Sequence, residues 1–144
     1  MALTISGDTG ITFPATQSAS SDANTLDDYE EGSFTFTGTG LTTSPTGTAY
    51  YTKIGNQVTV KIPNITGTSN TTAFSITGLP VALRAQATYV FFARVYNNSV
   101  AYFGMLFGAH ENAVDVYWDA ATSAFTASGT KGITDNSSIT YTLA

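Results

Sequence analysis

The most apolar part of the chain, residues 87–108, consists of two runs of about nine residues on either side of Asn97-Asn98. Polar turn residues between two such runs are typical of a hairpin, so we expect two antiparallel strands. The first run is apolar on both of its alternating faces: Tyr89, Phe91, Ala93 and Val95 form one face, and Val90, Phe92, Arg94 and Tyr96 form the other. A strand of this kind has to be covered on both sides. The covering surface is a second sheet, a neighbouring subunit, or both.

Alternating strand patterns bounded by turn residues continue along the chain. Gly55-Asn56 is a two-residue hairpin signal between two such patterns. The patterns occupy residues 33–38, 49–54, 57–62, 71–77, 114–118 and 139–143. Together with the apolar hairpin they predict about eight or nine strands at the turn spacing of all-β folds. We therefore expect an antiparallel β-sandwich with a jelly-roll-like arrangement.

Composition excludes several classes of function. Only 10% of the residues are charged, the net charge is −5, and five Lys and Arg residues are too few for a nucleic-acid partner. The absence of Cys excludes disulfides and thiolate zinc sites, and His110 is the one histidine, so we expect no cofactor and no metal site within one chain. No stretch reaches about 18 consecutive apolar residues, and the first residues lack the basic region of a signal peptide. We therefore expect no membrane insertion.

The first 25 residues differ from the rest of the chain. Residues 1–14 alternate around a turn at 6–10 and predict a small hairpin, whereas residues 15–25 are small and polar without periodicity. We therefore divide the chain into an arm, residues 1–25, and a jelly-roll-like body, residues 26–144. The arm's polar linker is too poor in apolar groups to join a core, but the arm has four side chains that can dock on another protein: Leu3, Ile5, Ile11 and Phe13.

The segment 26–32 is the most acidic in the chain, with four carboxylates around Tyr29. We expect a helical or tight turn that ends at Gly32. Burying four carboxylates without cations would cost several kcal/mol, so Asp27, Asp28, Glu30 and Glu31 should point outward. Leu26 and Tyr29 should point inward as an apolar plug. The segment is thus interpreted as a structural junction between arm and body, not as an active site.

A second group of acids suggests carbohydrate binding. Asp115 and Asp119 flank Tyr117 and Trp118, and an aromatic ring can pack on the apolar face of a sugar while carboxylates accept hydrogen bonds from its hydroxyls. The alternative is that Trp118 belongs to the core and the acids to its rim.

His110 and Glu111 could form a general base with its orienting partner, but no nucleophile motif lies nearby. We therefore expect no catalytic residue, and we name Asp115, Tyr117 and Asp119 as glycan-binding candidates.

Residues 24–32, with the sequence NTLDDYEEG, resemble a segment of tail-fibre and other virion-surface proteins of tailed bacteriophages, where it opens a C-terminal β-rich domain. Residues 50–60 look like the hairpin that follows there, residues 76–80 like the next strand end, and residues 10–14 like the usual lead-in. The resemblance covers residues 10–80. This chain departs from it at Phe34 and Phe36, where the family often has Trp and Pro. It also has only 23 residues before the segment, in place of a long shaft.

The resemblance implies a homotrimeric jelly-roll-like module on the virion surface. It implies that the body has a structural role or binds a host-surface glycan. Because only the arm stands where the family has a shaft, we expect the arm to contact other virion proteins. We expect a non-enzymatic fibre tip, capsid decoration or head fibre. The alternatives are a free carbohydrate-binding module and a small glycan-degrading enzyme. A free module has no use for the arm, and an enzyme needs two opposed carboxylates that the sequence does not offer.

Overall fold

The computed structural model describes residues 4–8, 10–12, 29–134 and 137–143. The predicted N-terminal hairpin is confirmed: strands β1 (Thr4–Ser6) and β2 (Gly10–Thr12) form a separate two-stranded sheet with Ile5 opposite Ile11. Two of the four proposed docking residues, Leu3 and Phe13, lie outside the described residues. So do three residues of the proposed junction, Leu26, Asp27 and Asp28.

The body strands form one ten-stranded antiparallel sheet. They are β3 (Tyr29–Thr39), β4 (Thr46–Ile54), β5 (Gln57–Lys61), β6 (Ile65–Thr68), β7 (Ser75–Thr77), β8 (Tyr89–Asn97), β9 (Val100–Gly108), β10 (Ala113–Tyr117), β11 (Thr130–Ile133) and β12 (Ser138–Thr142). Their order in the sheet is β12-β5-β4-β3-β7-β10-β9-β8-β11-β6. The described residues also include a short 3-10 turn at Val81–Leu83.

The sheet curls, so strands that are far apart in its order face each other. The ring of Tyr141 on β12 lies 6.1 Å from the rings of both Tyr89 and Phe91 on β8. The core lies between these inner faces and is built from the alternating apolar residues, among them Val58, Val60, Ala93, Val95, Val114, Val116 and Ile139. The predicted all-β antiparallel, jelly-roll-like fold is confirmed.

Both predicted body hairpins are present, and one turn is displaced by a residue. Gly55, at φ 57°, begins the turn between β4 and β5 as expected. The turn between β8 and β9 is Asn98-Ser99, both at positive φ (51° and 67°), and not Asn97-Asn98. Asn97 stays in β8 because its side chain is buried, and its Oδ1 accepts hydrogen bonds from the N–H and hydroxyl of Thr126 at 2.9 and 3.0 Å.

The prediction of a turn ending at Gly32 is wrong for residues 29–32, because β3 begins at Tyr29 and pairs with β4. The prediction that Tyr29 points inward is also wrong: it is 36% exposed, and its hydroxyl donates to Glu31 Oε1 at 2.5 Å. Gly32 instead permits a close approach, since a Cβ there would lie 2.7 Å from the ring of Tyr51. As expected, the side chains of Glu30 and Glu31 are exposed.

The strand predicted at residues 71–77 is shorter than expected and comprises Ser75–Thr77 alone. The carbonyls of Thr71 and Ala73 accept hydrogen bonds from Lys131 Nζ, at 2.5 and 2.7 Å, in place of a strand neighbour. Phe74 and Ile76 are both buried, as the alternation predicts. A buried lysine thus ends the strand pattern early.

Candidate functional site

Two of the three predicted glycan-binding residues lie on one groove. Asp115 and Tyr117 are two residues apart on β10, on the side opposite buried Val116, and both line an open groove of about 320 Å³. The groove's other lining residues are Val116 between them on β10, three residues of the segment before β7 and one of the loop after β10: Thr72, Ala73, Phe74 and Ala124. We call it the Asp115–Tyr117 groove.

The third predicted residue, Asp119, is hydrogen-bonded within its own loop. Its carboxylate accepts hydrogen bonds from the backbone N–H groups of Ala121 and Ser123 at 3.1 and 2.9 Å, and the bonds to Ser123 hold its pKa below the usual range. It is not among the residues lining the Asp115–Tyr117 groove. Asp119 therefore shapes the loop that follows β10.

Trp118 belongs to the periphery of the core, as the alternative interpretation held. It is partly buried against the core, its ring meets that of Tyr102 edge-on with centroids 4.9 Å apart, and its Nε1–H donates to the carbonyl of Ala124 at 2.9 Å. This bond fixes one residue of the groove wall. Trp118 is not itself a sugar platform on that groove.

Lys131, which the sequence analysis did not single out, holds the opposite wall. Its side chain is fully buried and lies 5.9 and 5.7 Å from the ring centroids of Phe74 and Phe125, close enough for cation–π attraction. Its two hydrogen bonds go to carbonyls of the wall, Thr71 and Ala73. Burial lowers the pKa of the ammonium, and no carboxylate pairs with it in the described part of the chain.

Further bonds join the two walls. Phe125 N–H donates to the carbonyl of Thr72 at 3.0 Å, and the buried hydroxyl of Ser69 lies 3.0 Å from the carbonyl of Thr71 and 2.7 Å from that of Thr126. The walls are thus fixed before any ligand arrives, which lowers the entropic cost of binding. A single Ser or Lys among polar residues carries no periodic signal, so the sequence alone does not reveal these contacts.

A second and larger groove, of about 580 Å³, lies on the outer face of β3, β4 and β5. The strand register places two rows of side chains on this face: Ser33, Tyr50 and Lys61 in one row, and Glu31, Thr52 and Thr59 in the other. Tyr50 is 60% exposed. We call this the β3–β5 groove.

Residues on the opposite side of β3 and β4 pair with one another. The hydroxyl of Tyr51 donates to Glu30, which raises the pKa of Tyr51 to about 12. Lys53 Nζ lies 3.9 Å from the other oxygen of the same carboxylate. The acidic segment is thus tied to β4, and its two glutamates project to opposite faces of the sheet.

The predicted general-base pair lies on the surface. His110 Nδ1 is 3.2 Å from the hydroxyl of Thr88, and its Nε2 is 3.8 Å from a carboxylate oxygen of Glu111. All three side chains are exposed, and none lines either groove. Within the described ranges, no cluster of three or more His, Asp and Glu side chains could hold a metal ion.

One of the two apolar faces of β8 packs on the core, and the other lies on the surface of the single chain. The surface set, which we call the β8–β9 outer face, is Val90, Phe92, Phe103 and Phe107. Phe92 and Phe103 are stacked, with centroids 5.3 Å apart. Exposed Arg94 lies on the same face, opposite Phe103. A cluster of exposed apolar side chains with a polar neighbour of this kind is typical of an interaction site.

No protein-family profile and no curated protein matches the sequence. Among solved structures, the reovirus attachment protein sigma1, in complex with alpha-2,3-sialyllactose, is similar in fold. The TM-score is 0.53 and the sequence identity 13%, and the match covers 98% of this chain and 85% of that chain. Among the described residues, no helix is long and apolar enough to cross a membrane.

Proposed function

We propose that this chain is a non-enzymatic attachment module on the surface of a virion, of the kind found in bacteriophage fibres and head fibres. The observation that carries the proposal is the fold similarity to a viral attachment protein bound to a sialylated sugar, since it spans 98% of this chain. The resemblance of residues 24–32 to phage virion-surface proteins points to the same class independently.

The Asp115–Tyr117 groove is the proposed glycan site. The ring of Tyr117 offers a surface for the apolar face of a sugar, and the carboxylate of Asp115 accepts hydrogen bonds from sugar hydroxyls. Fixed walls and a few convergent polar groups are the usual features of such sites. A carboxylate and a phenol favour a sugar that donates hydrogen bonds and carries no negative charge.

The proposed assembly is a homotrimer that buries the β8–β9 outer face. Symmetric self-association would cover the stacked pair Phe92 and Phe103, and the number three comes from the phage resemblance. The arm would bind other virion proteins through its apolar side chains. That its hairpin forms a sheet of its own supports a role separate from the body.

Binding to a glycan array tests the proposed site. Tyr117→Ser and Asp115→Asn should each weaken saccharide binding at least about tenfold, because they remove a contact at the centre of the groove. Glu111→Gln is the matched control, since it removes an exposed carboxylate outside the groove. Unchanged binding in both groove variants would overturn the assignment, and release of shortened saccharides would restore the enzyme hypothesis.

The alternative, a free carbohydrate-binding module, differs in what it expects of the arm. An attachment protein that lacks residues 1–23 should fold and bind glycan but fail to join particles. A free module would not associate with particles, whether it has residues 1–23 or lacks them.

A further inference from the structure

The β3–β5 groove joins two segments that the sequence analysis singled out separately. The acidic segment supplies Glu31 at the start of β3, and the YYTKIGNQVTV segment supplies Tyr50, Thr52 and Thr59 on β4 and β5. The register sets Glu31 opposite Thr52 and sets Thr52 opposite Thr59. Neither segment contributes to the Asp115–Tyr117 groove, so the two grooves are independent.

The two charged side chains of this groove, Glu31 and Lys61, differ in how readily they can bind a ligand. Glu31 already accepts a hydrogen bond from the hydroxyl of Tyr29 at 2.5 Å. Lys61 is exposed and has no ion pair among the residues that the structure describes. Next to it in the same row is the exposed ring of Tyr50. The groove therefore offers one available cation beside one available aromatic ring.

We propose that the β3–β5 groove is a second saccharide site and that its ligand is an acidic sugar. The ammonium of Lys61 binds the carboxylate or sulfate of the sugar, and the ring of Tyr50 packs against the sugar's apolar face. The hydroxyls of Ser33 and Thr52 exchange hydrogen bonds with those of the ligand. The hydroxyl of Thr59 shares a hydrogen bond with that of Thr140 at 2.9 Å and keeps further capacity to accept one from the ligand. Two grooves with opposite charge preference would let one chain engage two kinds of sugar.

The sheet topology argues against a peptide in this groove. β4 lies between β3 and β5, and β5 lies between β4 and β12, so the backbone groups of both strands are already paired. A peptide could not add here as an extra strand. The ligand has to be recognised by side chains, and those that the register places on this face are hydroxyls, the phenol of Tyr50, one available ammonium and one engaged carboxylate.

The test is NMR titration of the labelled chain with galacturonic, glucuronic and N-acetylneuraminic acids and galactose 6-sulfate, with galactose and glucose as neutral controls. At least one acidic sugar should shift the amide signals around Thr52 and Thr59, and the neutral sugars should not. If no acidic sugar shifts these amides, or if acidic and neutral sugars shift them equally, the proposal fails.

Variants separate specific binding from general charge attraction. Lys61→Gln and Tyr50→Ser should each lower the affinity for the acidic sugar at least about tenfold. Lys53→Gln makes the same charge change on the opposite face of the sheet and should bind as wild type. Equal weakening by Lys61→Gln and Lys53→Gln would overturn the site. So would a change of molecular mass in Lys61→Gln, because the groove would then be a subunit interface.

The outcome is separable from that of the proposed function. Asp115→Asn should leave binding of the acidic sugar unchanged, because that residue does not line the β3–β5 groove. If no acidic sugar binds the β3–β5 groove while the Asp115–Tyr117 groove does bind a saccharide, only the proposal of a second site fails.

Discussion

Serine in place of both Phe92 and Phe103 removes the stacked pair on the β8–β9 outer face. The two rings are 53% and 72% exposed in the single chain. At about 200 Å² per aromatic side chain, they leave roughly 250 Å² of apolar surface per subunit. Burial at about 25 cal/mol per Å² gives an upper bound of about 6 kcal/mol per subunit. Losing even half of that would weaken the proposed self-association by about two orders of magnitude.

Light scattering at micromolar concentration measures the effect. The wild-type chain should have three times the mass of a 15.1 kDa protomer, and the double variant should have the mass of one protomer. Because the rings are exposed, the variant should keep its β-type circular dichroism. Tyr50→Ser is the matched control, since it removes an equally exposed ring from another face and should leave the trimer intact. A wild-type monomer, or a double variant that remains trimeric, would refute the assignment of this face.

Three further predictions concern buried Lys131, the close approach at Gly32 and the arm. Since burial lowers the pKa of Lys131 from 10.5, the unfolded state binds more protons between the folded-state pKa and 10.5. The free energy of unfolding should therefore rise with pH across that window, relative to Lys131→Met, in chemical denaturation. Gly32→Ala should displace the ring of Tyr51 from Glu30 and return its pKa from about 12 toward 10.0 in an NMR titration, and an unchanged pKa would contradict this. Deleting residues 1–23 should leave the body folded and the proposed trimer intact, and an unfolded body would show that the arm belongs to the domain.

Alternation and turn residues were enough to predict the architecture. The pattern at 139–143 correctly predicted that Ile139 and Tyr141 are buried on β12, and Gly55-Asn56 correctly located a hairpin. These signals are local, since one face of a strand must be apolar and a tight turn needs particular residues.

The errors arose where a distant partner overrides the local pattern. Asn97 was predicted in a turn but is held in β8 by Thr126, and the strand predicted at 71–77 is shortened by Lys131. For the proposed glycan site, the sequence predicted Asp115 and Tyr117 because carboxylates lie beside aromatic residues there, and the structure places both on one groove. It could not distinguish Asp119 from these two residues, because the hydrogen bonds of Asp119 to its own loop depend on backbone geometry.

Adsorption of virions to host cells tests the central claim most directly. Under the proposed function, purified protein added in excess to host cells should compete with the virions that carry it and slow their adsorption. The Tyr117→Ser variant should compete less well, and Glu111→Gln should compete as wild type. Adsorption that proceeds at the same rate with and without the wild-type protein would contradict the attachment function.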